Sequence, residues 1–225
     1  ALFGKDEPNK CQQAMLTGIL TMWVPREGIH ELVGPAIETA LMCNCDAYCL
    51  GFGRGWGSCS ELIGNWLYHL AAEGRLSLDD DLIMLWREKA SSAACGSVLD
   101  HLCFLVKSVD DVDPSIVERV CAIWDCHAQM VEQDSSKVGC LRGIACLAEC
   151  GVVESNWWGP RLVKEIKSSE RYEHLGFLED QLLEYSEENP RGAFEVLEAY
   201  VSRSRNIENA RYSLRKIAPT VLANV

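Results

Sequence analysis

A glycine-rich segment offers the clearest opportunity for ligand chemistry in this sequence. Four glycines alternate with other residues from Gly51 to Gly57 and lead directly into Ser58. Glycines allow a backbone to approach a ligand closely and turn successive N–H groups towards an anion, and a helix beginning at Ser58 would add a favourable dipole. The predicted anion-binding residues are Gly53, Arg54, Gly55, Trp56, Ser58 and Glu61. Because the segment matches neither the lysine-containing phosphate loop nor the strand–turn–helix nucleotide fingerprint, a flexible connection between helices is the alternative interpretation.

The cysteines are a second group with possible chemistry, and the chain has twelve of them. Cys45 and Cys49 share a helical face, but the second ligand pair of a structural zinc site is missing, so neither a metal site nor a cofactor is predicted. Many of the others fall in apolar helical segments, where a free cysteine behaves as a small hydrophobic residue. Reduced, buried thiols in a cytoplasmic protein are therefore predicted, and a secreted protein with oxidised cysteines is the alternative.

The acidic runs and the histidines give no catalytic constellation. Asp79–Asp81 and Asp110–Asp113 each precede a predicted helix, where capping accounts for carboxylates. His127 lies on an apolar helical stripe and is predicted to be a core residue. No Gly-x-Ser-x-Gly elbow is present, and no catalytic residue is predicted.

One aromatic pair with a nearby arginine suggests a binding surface. Trp157, Trp158 and Arg161 are close in sequence, and aromatic residues and arginine dominate the energetics of many protein interfaces. The sequence therefore predicts an interaction surface at these three residues. Large aromatic side chains on a helix also serve as core, which is the alternative.

The elements that must position these residues are helices. Helix-start signals recur from Ser58 onward, at Ser58, Asp79, Asp113-Pro114, Ser135, Ser155, Asn189-Pro190 and Asn206. The stretches between them repeat apolar residues at a period near 3.6, and we find no alternating strand pairs. The chain is predicted to be all-α, with about ten antiparallel helices in an irregular α-solenoid or a multi-helical bundle.

Three of these helices carry specific expectations. Ser135 is predicted to open a helix with Leu141, Ala145 and Ala148 facing inward and with Gly151 as its end. Ser155 is predicted to open the next one, with Pro160 confined to its first turn unless the helix starts later. A further helix is predicted to carry Leu175, Leu178, Leu182 and Tyr185 on one face.

The spacing of the starts at Asp113, Ser135 and Ser155 is about twenty residues, so a helix pair takes about forty. By this period and by its capping, the region Ser91–Val225 resembles HEAT-like α-helical repeat proteins. The resemblance implies a curved stack of helix pairs that binds other proteins. Residues 1–225 are expected to form one domain, with a possible subdivision at 1–57 and 58–225, and the chain is also consistent with a fragment of a longer protein.

Charge and composition limit the partners. The net charge is −12, which opposes nonspecific binding to nucleic acid phosphates. No apolar run approaches the roughly 20 residues that cross a bilayer, so neither nucleic acid nor a membrane is expected as a partner. The predicted function is a non-enzymatic interaction or scaffold module that binds another protein or a neighbouring domain. The alternatives are an all-α ligand-binding protein or enzyme at Gly51–Ser58, and a secreted cysteine-rich helical effector.

Overall fold

A computed structural model describes residues 59–75, 92–133, 141–169, 178–203 and 207–225, and these residues are helical apart from short connections. The eight helices within these ranges are α1 (Cys59–Ala72), α2 (Ser92–Ser108), α3 (Pro114–Gln133), α4 (Ile144–Glu149), α5 (Ser155–Ser168), α6 (Glu179–Glu188), α7 (Pro190–Arg203) and α8 (Ile207–Asn224). The described residues contain no strand, so the all-α prediction is confirmed for them. No helix in these ranges is both long and apolar enough to cross a membrane. The start predicted at Asp79 lies outside the described residues.

Two predicted helix starts are confirmed in atomic detail. Asp113 Oδ1 accepts a hydrogen bond from the Ser115 backbone N–H at 2.8 Å, and Pro114 occupies the first helical position of α3. This bond lowers the pKa of the Asp113 carboxyl from its ordinary value. Asn189 Oδ1 likewise accepts from the Gly192 N–H at 2.9 Å ahead of α7. In both cases a side chain satisfies a backbone donor of the first turn, as the sequence pattern indicates.

The prediction that a helix begins at Ser135 is wrong for residues 141–143, which are not helical. The helix begins only at Ile144 and follows Gly143, whose φ of 95° lies in the left-handed region. A side chain at Gly143 would meet the Cys103 sulfur on α2 at 2.7 Å, so this approach requires glycine. The inward position of Leu141 and the end at Gly151, with φ of 68°, are both confirmed.

Two other helix boundaries also differ from the predictions. Ser155 is the first helical residue of α5, and Glu154 precedes it without a side-chain cap. The Ser155 hydroxyl instead donates to Glu188 on α6. Pro160 lies well inside α5 because that helix runs without interruption from Ser155 to Ser168, so confining Pro160 to the first turn is wrong. Leu178 is buried as predicted but stands ahead of α6 rather than within it.

The main contacts join helices that are one or two positions apart among the described elements. Two of the pairs that are two positions apart run parallel, as their side-chain contacts show. On α3 and α5, Asp125 contacts Arg161 and Glu132 contacts Lys164. On α6 and α8, Glu179 contacts Lys216 and Ser186 contacts Asn224.

The same pattern places α2 parallel to α4. Gly143, just ahead of α4, packs on Cys103 of α2, while Glu149 at the end of α4 forms an ion pair with Lys107, one turn further along α2. The apolar faces of the described helices meet in one continuous core, whose largest fully buried side chains include Trp124, Tyr185 and Tyr200.

Candidate functional site

The predicted anion site falls almost entirely outside the described residues. Gly53, Arg54, Gly55, Trp56 and Ser58 are not among those residues. The backbone of Glu61 lies in the first turn of α1. An anion site at this segment stays a prediction.

The second predicted group centres on α5, where Arg161 contacts the Asp125 carboxylate and both the carbonyl and the ring of Trp157. Its guanidinium donates to both carboxylate oxygens of Asp125 on α3, with Nε–Oδ1 at 2.6 Å and Nη2–Oδ2 at 2.8 Å. Nη1 donates to the Trp157 carbonyl oxygen at 2.8 Å. The guanidinium carbon also lies 4.2 Å from the centre of the Trp157 ring, a cation–π contact. Planar, bidentate contacts of this kind fix geometry, so Arg161 braces α5 against α3.

The two tryptophans have different environments, although they are adjacent in sequence. Trp157 is partly buried and packs edge-on against Trp124 of α3, with ring centres 6.3 Å apart. Trp158 is only 3% exposed and packs against Tyr185 of α6, with ring centres 5.0 Å apart. Trp158 is therefore a core residue in this conformation, whereas Trp157 and Arg161 reach the surface. An interaction role for Trp157 and Arg161 stays a prediction.

A small cleft lies beside this cluster, between α5 and α7. Its volume is about 220 Å³, and its lining residues are Pro160, Val163, Tyr185, Asn189, Arg191, Gly192 and Glu195. Gly159 and Gly192 leave room for the Tyr185 ring, which a methyl group at either position would strike. Asn189 Nδ2 donates to the Tyr185 hydroxyl oxygen at 3.2 Å, while burial raises the pKa of that hydroxyl. The cleft thus has both polar and apolar lining residues, with the charged side chains of Arg191 and Glu195 exposed at its rim.

Three of the described thiols have electrostatic surroundings that oppose nucleophilic catalysis. Burial raises the pKa of Cys103 well above its ordinary value. Burial and the nearby Asp125 raise that of Cys121 to about 12, and burial, with Asp100, raises that of Cys146 to about 11. The thiolate is the reactive species, so these groups are unreactive at neutral pH.

Two buried polar residues have structural partners. Glu165 on α5 is 4% exposed, and its Oε2 accepts from the Ile144 N–H at 2.9 Å, so it caps α4 from a neighbouring helix. His127 is fully buried, and its Nδ1 donates to the Ile123 carbonyl oxygen at 3.1 Å, which confirms the prediction of a core histidine. Within the described ranges, no group of three or more histidine, cysteine or acidic residues is arranged to hold a metal ion.

Asp125 and Tyr185 organise this site, but the sequence pattern does not identify Asp125 and places Tyr185 only on the apolar face of a helix. Each acts across a helix–helix contact at long sequence separation, for which a single sequence holds no signal. Asn189 was found only as a helix cap. No family model, curated protein or solved structure matches the chain.

Proposed function

We propose that the chain is a non-enzymatic protein-interaction scaffold, an irregular α-solenoid that receives a segment of another protein at the cleft between α5 and α7. The observation that carries this proposal is the packing order. The main contacts join described helices that are one or two positions apart, and three pairs of helices two positions apart run parallel: α2 with α4, α3 with α5, and α6 with α8. Stacks of this kind present extended faces rather than enclosed sites, and repeat proteins use such faces for binding.

The cleft has the chemistry of a peptide contact. Pro160 and Val163 supply apolar surface, and Arg191 and Glu195 at the rim have side chains that are 90% and 54% exposed. A volume of about 220 Å³ is below the range of roughly 300–1,000 Å³ that is usual for small-molecule sites, but it can hold one or two side chains of a docked segment. Trp157 and Arg161 hold α5 in place beside α3.

The experiment compares proteins retained by the wild-type chain and by two variants, each in a lysate of its source cells. Arg191→Glu reverses one charge at the rim of the cleft, whereas Glu118→Arg reverses one exposed charge on α3 as the matched control. The proposal predicts at least one protein retained by wild type and by Glu118→Arg but lost with Arg191→Glu. An identical retained set for all three proteins would reject the cleft as the binding site.

The cytoplasmic location is also part of the proposal. Cys103, Cys121, Cys126, Cys146 and Cys150 form no disulfide in the described part of the chain. Persistent thiols are typical of reducing compartments. Titration of the denatured, unreduced protein should therefore count about twelve thiols. A count near zero would favour the secreted alternative.

A further inference from the structure

The outer edge of α7 and α8 exposes large apolar side chains that face away from the rest of the stack. Phe194 and Val201 on α7 are 38% and 55% exposed, and Leu222 on α8 is 58% exposed. Burying the exposed apolar surface of these side chains against a partner would be energetically favourable. We call Phe194, Glu198 and Val201 on α7, with Arg211, Arg215 and Leu222 on α8, the α7–α8 edge.

The direction of this edge follows from helical geometry and from the contacts on the opposite side of each helix. Gly192 faces α5 across the cleft, and Val201 comes nine residues, or about two and a half turns, after it. Val201 therefore points away from α5. Asn224 contacts Ser186 on α6, and Leu222 is about 200° around the helix from Asn224. Leu222 thus points away from α6.

The charges of the edge are divided between its two helices. Glu198 lies on the α7 stripe one turn from Phe194 and is exposed, whereas Arg211 and Arg215 are exposed on the α8 stripe that leads to Leu222. An anionic partner would meet Glu198, and a cationic partner would meet the arginines. Because the negative charge lies on α7 and the positive charges on α8, the edge is complementary to a second copy whose α8 faces this α7 and whose α7 faces this α8.

We propose that two copies of this chain associate through the α7–α8 edge, with α7 of each copy lying against α8 of the other. A twofold axis parallel to these helices produces that exchange, and it uses the same patch on both copies. Glu198 of one copy then faces the arginines of the other, while Phe194, Val201 and Leu222 pack on either side of these charges. The charge pairing sets the partner and register, and the apolar residues supply the buried area. This proposal does not depend on whether the cleft binds a partner.

Sedimentation equilibrium over a micromolar concentration series tests the proposal. Wild type should approach twice the monomer mass of 25.1 kDa, and the apolar-to-acidic variant Leu222→Glu should remain monomeric. Glu198→Arg should raise the dimer dissociation constant by about tenfold or more, and adding Arg215→Glu to it should restore much of the affinity because the charges are then exchanged. Far-UV circular dichroism verifies that each variant is folded.

Two control variants separate this surface from the cleft. Glu118→Arg and Arg191→Glu should both dimerise like wild type, since neither residue belongs to the α7–α8 edge. The proposal is overturned if wild type sediments as a monomer throughout the series, or if the Leu222 and Glu198 variants dimerise as wild type does. It is also overturned if Arg191→Glu abolishes the dimer, because the contact would then lie at the cleft.

Discussion

Replacing Arg161 with alanine should destabilise the protein by about 2 kcal/mol, far more than an ordinary surface substitution does. The partly buried bidentate contact with Asp125 contributes about 1 kcal/mol after allowance for solvent screening, because both side chains are about one-third exposed. The bond to the Trp157 carbonyl and the contact with its ring add about 0.5 kcal/mol each. Arginine and alanine have similar helix propensities, so that term is small.

Lys164→Ala provides the matched control for this prediction. Lys164 lies one turn further along α5 and contacts Glu132 of α3 at 2.5 Å, but Glu132 is 63% exposed. A single exposed ion pair contributes about 0.2–1 kcal/mol, so this variant should be close to wild type. Arg161→Lys should fall between the two variants, because lysine keeps the charge and loses the planar fork.

The assay is urea unfolding, followed by tryptophan fluorescence and by circular dichroism at equilibrium. Coincidence of the two signals justifies a two-state analysis of the free energy of unfolding. A double-mutant cycle between Arg161 and Asp125 should give a coupling energy of about 1 kcal/mol. An Arg161→Ala variant no less stable than Lys164→Ala would refute the conclusion that this arginine braces the stack.

Four further predictions concern other features of the fold. Gly143→Ala should destabilise the protein by about 2–4 kcal/mol, since its methyl group would lie 2.7 Å from a buried sulfur. Gly151→Ala, which has a similar φ and open space around it, should cost only about 1 kcal/mol. Thermal unfolding distinguishes the two variants, and equal losses of stability would contradict the packing at Gly143. Alkylation of Cys146 at pH 8, followed by mass spectrometry, should be about a hundredfold slower than in urea because its pKa is raised to about 11; a rate unchanged by urea would contradict its burial. The raised pKa of Cys146 also contributes to the free energy of unfolding, and this contribution is present below pH 9 and lost as the pH rises through 11. Urea unfolding at a series of pH values measures it, and a stability that does not change with pH over this range would contradict it. Asn189→Ala should cost about 1 kcal/mol through the lost cap of α7, measured by urea unfolding, and no change would show that the cap is dispensable.

The sequence predicts helices well where the cause is local. The caps at Asp113 and Asn189 act within three residues, so the pattern of residue types contains the whole interaction. The same signal fails at Ser135, because the chain at Gly143 adopts a left-handed conformation to approach Cys103, about forty residues earlier. Ser155 fails for a similar reason, since its hydroxyl bonds to α6 rather than to its own helix.

The candidate site is less accessible to sequence reasoning than the fold. Trp157 and Trp158 are equivalent by residue type, yet only the packing of α6 makes Trp158 a core residue. The cleft depends on how closely Gly192 approaches Tyr185, which follows from the crossing of α6 and α7. Whether a segment forms a helix depends largely on residues close together in sequence, whereas the shape of a surface depends on the packing of helices that are far apart in sequence.

Site-specific photo-crosslinking tests the central claim most directly, that another protein binds at the cleft between α5 and α7. A photoreactive residue replaces Glu195 at the rim of the cleft, where Arg191 is kept, and in a matched protein the same residue replaces Glu118 on α3. Illumination in source-cell lysate followed by mass spectrometry identifies any attached protein. The account predicts a discrete crosslinked product from position 195 that is absent from position 118. The same weak background from both positions would contradict it.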